Sequence, residues 1–245
     1  MNAQDLYAFV IESVSGYIAF LEDNFGLIDD VLFRGQRQDL PLLPKLARLK
    51  PRQGDDLHTT ESKMLDEFKR QAPSFLEVVP VTDWDWLSLA QHYGLPTRLL
   101  DWTTNPLAAL WFAIRLPAKT PETPAVVWTF NPEKKDYVQN PTEADPRRGT
   151  RTRVFRPRHI ARRIIAQSGW FTVHKYIDQD KRFIALENQR LYKKTLMKLL
   201  VPPNKFDPLR YELDRCGVNS ASMLTDLSGL CIHIEWQYSL FADEL

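Results

Sequence analysis

Cysteine, glycine and charge imbalance are all scarce in this chain, and each scarcity removes a class of explanation. Only two cysteines, Cys216 and Cys231, occur in 245 residues. That is too few for a disulfide framework, and neither lies in a His/Cys cluster of zinc-site spacing. Such usage fits a reducing compartment, and a cytoplasmic location is expected. The nine glycines form no GxxxxGK[ST] or GxGxxG loop, which excludes the familiar glycine-rich phosphate cradles. With 32 Lys+Arg against 31 Asp+Glu, net charge draws neither nucleic acid nor an anionic membrane. The longest apolar run, 107–114, is far shorter than the ~20 residues of a bilayer span, so no membrane partner is expected. Residues 1–22 are amphipathic and carry acids, unlike a signal peptide. The five histidines are dispersed and no metal site is expected. No Gly-x-Ser-x-Gly elbow marks a hydrolase.

Aromatic residues are plentiful, with seven Trp and thirteen Phe, and the apolar pattern has clear periods. Leu6, Phe9, Val10, Val14, Ile18 and Leu21 share a helical face and predict an opening helix over 3–22. Residues 31–36 read as a short buried strand ending in a turn. Helical spacing returns over 57–71, closed by Pro73. Asp83 is a candidate N-cap for a helix that Gly94 and Pro96 terminate. Asn105-Pro106 starts a further helix, apolar almost all round and therefore expected to be buried. Strands are expected at 125–130, 170–176 and 196–201, a helix from Asp207-Pro208 to Cys216-Gly217, and a short helix over 220–227. Residues 230–236 alternate like a closing strand. Residues 131–150, with three prolines, read as a long exposed loop.

Between two of these helices lies the densest polar cluster, residues 91–103. It packs Gln91, His92, Tyr93, Thr97, Arg98, Asp101 and Trp102 into thirteen positions. Groups of this kind must be hydrogen-bonded internally or face a ligand, because unpaired buried polar groups are costly. His92 suits a general base near neutral pH, or caps its helix C-terminus. Gln91 reads a base edge or satisfies a turn carbonyl. Asp101 orients His92, or receives Arg98 or Arg34, with an Arg98–Asp101 clip holding the turn the favoured reading. Trp102 is core by default or, at the loop edge, a stacking surface for a base. Upstream, Arg34 ends a strand beside Gly35, where glycine lets a ligand approach and guanidinium binds phosphate or carboxylate.

Phe33-Arg34-Gly35 together with residues 91–113, QHYGLPTRLLDWTTNPLAALWFA, closely resembles the FRG domain, a bacterial domain named for its Phe-Arg-Gly motif. Leu42-Leu43-Pro44, the 125–130 strand and Ala166-Gln167-Ser168-Gly169-Trp170-Phe171 are similar to further elements of such proteins. The resemblance covers 31–130 and implies one FRG-type domain over 1–245, with a variable part over 131–245. It implies an α+β fold, a small mostly antiparallel sheet flanked by helices. By analogy of fold alone, the strand ending in Arg34 looks like the first active-site strand of ADP-ribosyltransferases. The implied activity is therefore nucleotide-directed transfer from NAD, in a bacterial toxin or defence effector. Arg34 would grip the pyrophosphate or ribose, His92 or Tyr93 would border the nicotinamide, Thr97 and Asp101 would hold the loop, and Gln167 or a late Glu would complete the site. Two departures stand against the analogy. The only Ser-x-Ser, 220–222, looks like a helix start, and no Glu-x-Glu pair occurs, which leaves Glu187 and Glu212 as the late glutamates to examine. The competing reading is a non-catalytic sensor or binding module for a nucleotide, nucleic acid or protein.

Eight arginines fall between 147 and 163: Arg147, Arg148, Arg151, Arg153, Arg156, Arg158, Arg162 and Arg163. No acid interrupts them, and Phe155 and Trp170 flank them. Clustered arginines neutralise phosphates, which makes this segment the candidate contact for a nucleotide or nucleic acid. A solvated loop balanced by acids elsewhere is the alternative.

Overall fold

The computed structural model describes residues 7–243 apart from 27, 29, 53, 142–144 and 158–167. It shows an α+β fold built on one seven-stranded sheet. In chain order the elements are β1 (Tyr7–Val10), α1 (Val14–Phe25), β2 (Leu32–Gln36), α2 (Leu57–Gln71), α3 (Asp83–His92), β3 (Leu99–Thr103), α4 (Pro106–Ile114) and β4 (Ala125–Phe130). Then follow β5 (Arg153–Phe155), β6 (Gly169–Val173), β7 (Tyr176–Ile177), β8 (Arg182–Phe183), β9 (Leu196–Val201), α5 (Phe206–Arg215), α6 (Ser220–Leu224) and α7 (Leu227–Tyr238). The sheet order is β1-β9-β4-β2-β3-β6-β5, with β7 and β8 paired apart. All neighbours in the large sheet run antiparallel except β1 and β9.

Strand β4 lies near the middle and is buried at every position, which is why it reads as an unbroken apolar run and not an alternation. Its Ala125 and Val127 join Phe33, Leu199 and Val201 beneath α1, α4 and α5. Its Val126, Trp128 and Phe130 join Leu32, Leu100, Trp102 and Tyr192 on the opposite side. A third apolar cluster docks α2 and α3 on the far end of the sheet, with Leu65, Trp84 and Leu87 against Leu99, Phe171 and Val173. Helix α4 is deeply set, as its composition predicts. Ala108, Ala109, Leu110, Trp111, Ala113 and Ile114 are all buried, and Asn105 caps it by accepting from the backbone N–H of Leu107 and Ala108.

Several expectations fail. Thr82, not Asp83, caps α3, its side chain accepting from the Asp85 N–H. The opening helix begins later, at Val14, capped by the Ser13 hydroxyl. Residues 7–10 form an edge strand parallel to β9, some 190 positions away. The apolar spacing runs through both elements, and only a long-range partner separates them. The closing strand is helix α7. Residues 99–101, read as the end of a turn that begins at Gly94, belong to β3. The loop 131–150 also buries Asp136 and Pro146, so it is not wholly exposed.

Candidate functional site

Strands β2 and β3 meet at a single pair, Phe33 opposite Thr103, and then part. The cleft opens where they separate, floored by β2 and β3 and walled by the end of α3 and one side of α4. Its volume is about 360 Å³, and Arg34, Gln91, His92, Asp101, Phe112 and Arg115 are among its lining residues.

Arg34 reaches across the gap. Its Nη1 donates to the Asp101 carbonyl at 2.7 Å and lies 3.8 Å from the Asp101 carboxylate. Its side chain is 19% exposed, and its Nε is buried with no hydrogen-bond partner among the described residues. Burial lowers its pKa, with Asp101 opposing and Arg48 adding to that shift. The charge is held in place and only partly compensated, the condition in which an anion is bound strongly.

Asp101 is 58% exposed and is itself positioned. Gln91 Nε2 donates to its Oδ2 at 3.0 Å, the Thr97 hydroxyl donates to Gln91 Oε1 at 2.7 Å, and the Leu99 N–H donates to Thr97 Oγ1 at 3.1 Å. This chain begins in the buried backbone and ends on a carboxylate that faces the cleft. His92 lies in the last turn of α3, its ring edge-on to Tyr93 with centroids 5.0 Å apart. Tyr93 is 68% exposed and lies off the lining. Gly94, at φ +85°, ends the helix as the pattern of residues predicts.

Several expectations need correction. Arg98 does not clip Asp101. It is 1% exposed and pairs with an equally buried Glu61, its Nε donating to Glu61 Oε2 at 2.7 Å and its backbone N–H to Oε1 at 2.8 Å. Its Nη1 donates to the Arg147 carbonyl at 2.8 Å. The guanidinium is therefore an internal strut between α2, β3 and the loop before β5. Gly35 borders the cleft and is also required for packing. A Cβ on it would stand 1.8 Å from the Ala109 carbonyl oxygen and 2.7 Å from the Ala113 nitrogen, so only glycine lets α4 lie this close to β2. Trp102 borders the cleft, but its indole is buried and donates to the Thr172 hydroxyl at 3.0 Å, which ties it to the core. Neither late glutamate reaches the cleft. Glu187 accepts from the Leu42 N–H and Glu212 from the Val14 N–H at 2.6 Å. Among the described residues, Asp101 is the sole carboxylate on the cleft lining.

Sequence reasoning missed Phe112 and Arg115. Both follow Ala109 at three-residue steps along α4, a spacing that puts them on one side of the helix. The uniform apolar reading of that helix concealed it.

Gln167, Arg158, Arg162 and Arg163 lie outside the described residues. Of the remaining arginines, Arg147 binds Asp145 and Asp83 and Arg151 binds Asp136 and the Lys135 carbonyl. Arg156 lies over the Trp170 ring, 5.3 Å from its centroid. Phe155 is core, packed on Trp84 and Phe171.

Residues 29–122 match the family model of the FRG domain. The chain carries an FRG domain. Every residue lining the cleft falls within that matched segment, and the Phe-Arg-Gly motif supplies its floor. No curated protein and no solved structure matches the chain. Among the described residues of the FRG domain and the segments around it, no helix is long and apolar enough to cross a membrane.

Proposed function

We propose that the FRG cleft binds a nucleotide, with NAD the first candidate, and that the protein is an ADP-ribosyltransferase-like enzyme. The observation that carries this reading is the convergence of Arg34, His92 and Asp101 on one open cleft. A structural clip would have buried these groups against one another.

The side chains suit the parts of such a molecule. Arg34, with an undercompensated charge and an orphaned Nε, holds an anionic phosphate. Phe33 and Phe112 offer apolar surface to a flat ring. A volume of about 360 Å³ is at the small end of the ~300–1,000 Å³ range of ligand sites and accommodates half of a dinucleotide, the rest lying along the rim. NAD, when bound, supplies an ADP-ribosyl group joined to nicotinamide by a labile glycosidic bond. The Asp101 carboxylate, fixed by Gln91, stabilises positive charge that develops on a sugar ring, taking the place of the glutamate such enzymes use. His92 takes the proton of the incoming acceptor.

The test is release of nicotinamide by the purified chain. The wild-type chain is expected to release it, and Asp101→Asn to lose most of that rate while still binding NAD. Absence of NAD binding overturns the reading. Binding without turnover in the wild-type chain moves it to the non-catalytic module.

A further inference from the structure

A second cavity, of about 310 Å³, lies beneath the loop that leads into β5, with Arg148, Arg151, Arg153, His174 and Lys175 on its lining. It is separate from the FRG cleft and shares none of its lining residues. Its frame is rigid. Asp145 accepts from the Arg147 N–H at 2.8 Å. The Arg147 guanidinium reaches Asp83 and Ser62, and its carbonyl receives the buried Arg98. Arg151 is tied to Asp136 on the other side.

These ties sort the arginines by role. Arg147 and Arg151 are neutralised where they stand and build the loop. Arg148 is 85% exposed, with Asp145 3.5 Å away. Arg153 and Lys175 differ. Arg153 stands opposite Val173 in the β5–β6 ladder, and the Lys175 backbone is fixed to the Thr152 hydroxyl. Among the described residues, neither side chain pairs with a carboxylate. The Arg153 Nε is buried with no hydrogen-bond partner. His174 behind them is neutral at physiological pH, since burial pushes it down to about 3. It adds no charge and needs no counterion. Trp84, Val138 and Val173 add apolar surface, and the Asp145 carboxylate that also borders the cavity is already engaged by Arg147.

From this arrangement we infer that the cavity is a second ligand site, built for the phosphate group of a small molecule and held by Arg153 and Lys175. Two uncompensated cations on a concave, preformed surface are what a phosphate monoester or diphosphate requires. An extended nucleic acid needs instead a continuous row of available cations. Here three of the five described arginines of that row, Arg147, Arg148 and Arg151, already have carboxylate partners, and the available charge lies on the lining of one concave pocket.

The test is calorimetric titration of inorganic pyrophosphate into the full chain carrying Arg34→Gln, so that the FRG cleft does not contribute. One site is expected. Lys175→Gln and Arg153→Gln should each weaken it by about tenfold or more, the loss that follows one charge-assisted hydrogen bond. Lys175 is exposed, so its variant is expected to keep the wild-type thermal midpoint, and it decides the matter if Arg153→Gln unfolds. No binding of pyrophosphate, or binding indifferent to Lys175→Gln, overturns the proposal. So does tight binding of a short single-stranded RNA that Arg156→Gln abolishes and Lys175→Gln leaves unchanged.

Discussion

Replacing Gly35 with alanine adds one methyl group where the backbone of α4 already stands. The new Cβ would lie 1.8 Å from the Ala109 carbonyl oxygen, 2.7 Å from the Ala113 nitrogen and 2.9 Å from the Ala109 carbonyl carbon. All three are backbone atoms of one helix and cannot rotate away. To reach even a tight 3 Å contact, α4 must retreat by more than an ångström. It is held against retreat by Leu110, Trp111 and Ile114 in the main core and by the Asn105 cap. Overpacking costs about 1–3 kcal/mol where side chains can adjust. Here they cannot, so about 3 kcal/mol or more is expected, a large part of the ~5–15 kcal/mol that holds a domain together. Urea unfolding followed by tryptophan fluorescence measures the loss. Gly94→Ala is the control, because its Cβ meets nothing and only the positive φ of +85° is strained, a cost of about 1 kcal/mol. A Gly35→Ala protein within about 0.5 kcal/mol of wild type would refute the packing argument. Lost ligand binding at unchanged stability would refute it too, and would restore to the glycine a role in admitting the ligand.

Two further outcomes follow from buried charge. Glu61→Gln leaves the Arg98 guanidinium 1% exposed without its counter-charge and is expected to cost about 3–5 kcal/mol; a loss below about 1 kcal/mol in the same urea assay contradicts the strut. His174 is pushed down to about 3, chiefly by burial, with the Arg34 and Arg98 charges adding to it, whereas in the unfolded chain a histidine titrates near 6.5. The native imidazole stays neutral while the unfolded one takes up a proton. This contribution is therefore complete above about pH 6.5 and falls by about 1.4 kcal/mol per unit as the pH drops. Between about pH 6.5 and 5, above most carboxylate titrations, His174→Gln should remove that slope, and an unchanged slope would contradict the assignment.

Local signals carried much of the architecture. Helix α2, strand β9 and the Asn105-Pro106 start of α4 all have strong boundaries in their own residues, and the structure places them where periodicity and capping predict. Features that depend on distant partners were hidden. Strand β1 exists through its pairing with β9, and β3 through its five-residue ladder with β6. Both lie in segments whose local pattern suggests something else. The site was legible to a similar degree. Arg34, Gln91, His92 and Asp101 stand out as chemistry without an obvious structural need, and they line one cleft. The partner of Arg98 was not legible, because Glu61 sits in a helix rich in charged residues and only the fold distinguishes it from its exposed neighbours. The role of Gly35 was hidden for the same reason, since its close approach to Ala109 involves a segment more than seventy residues away.

Arg34 is the proposed anion anchor of a nucleotide site in the cleft at the parting of β2 and β3. Calorimetric titration of NAD into the wild-type chain and into Arg34→Gln, both checked for equal thermal midpoints, tests this most directly. Binding to the wild-type chain, weakened by about tenfold or more when the guanidinium is removed, is the predicted result. No binding to the wild-type chain, or equal binding to both, would contradict it.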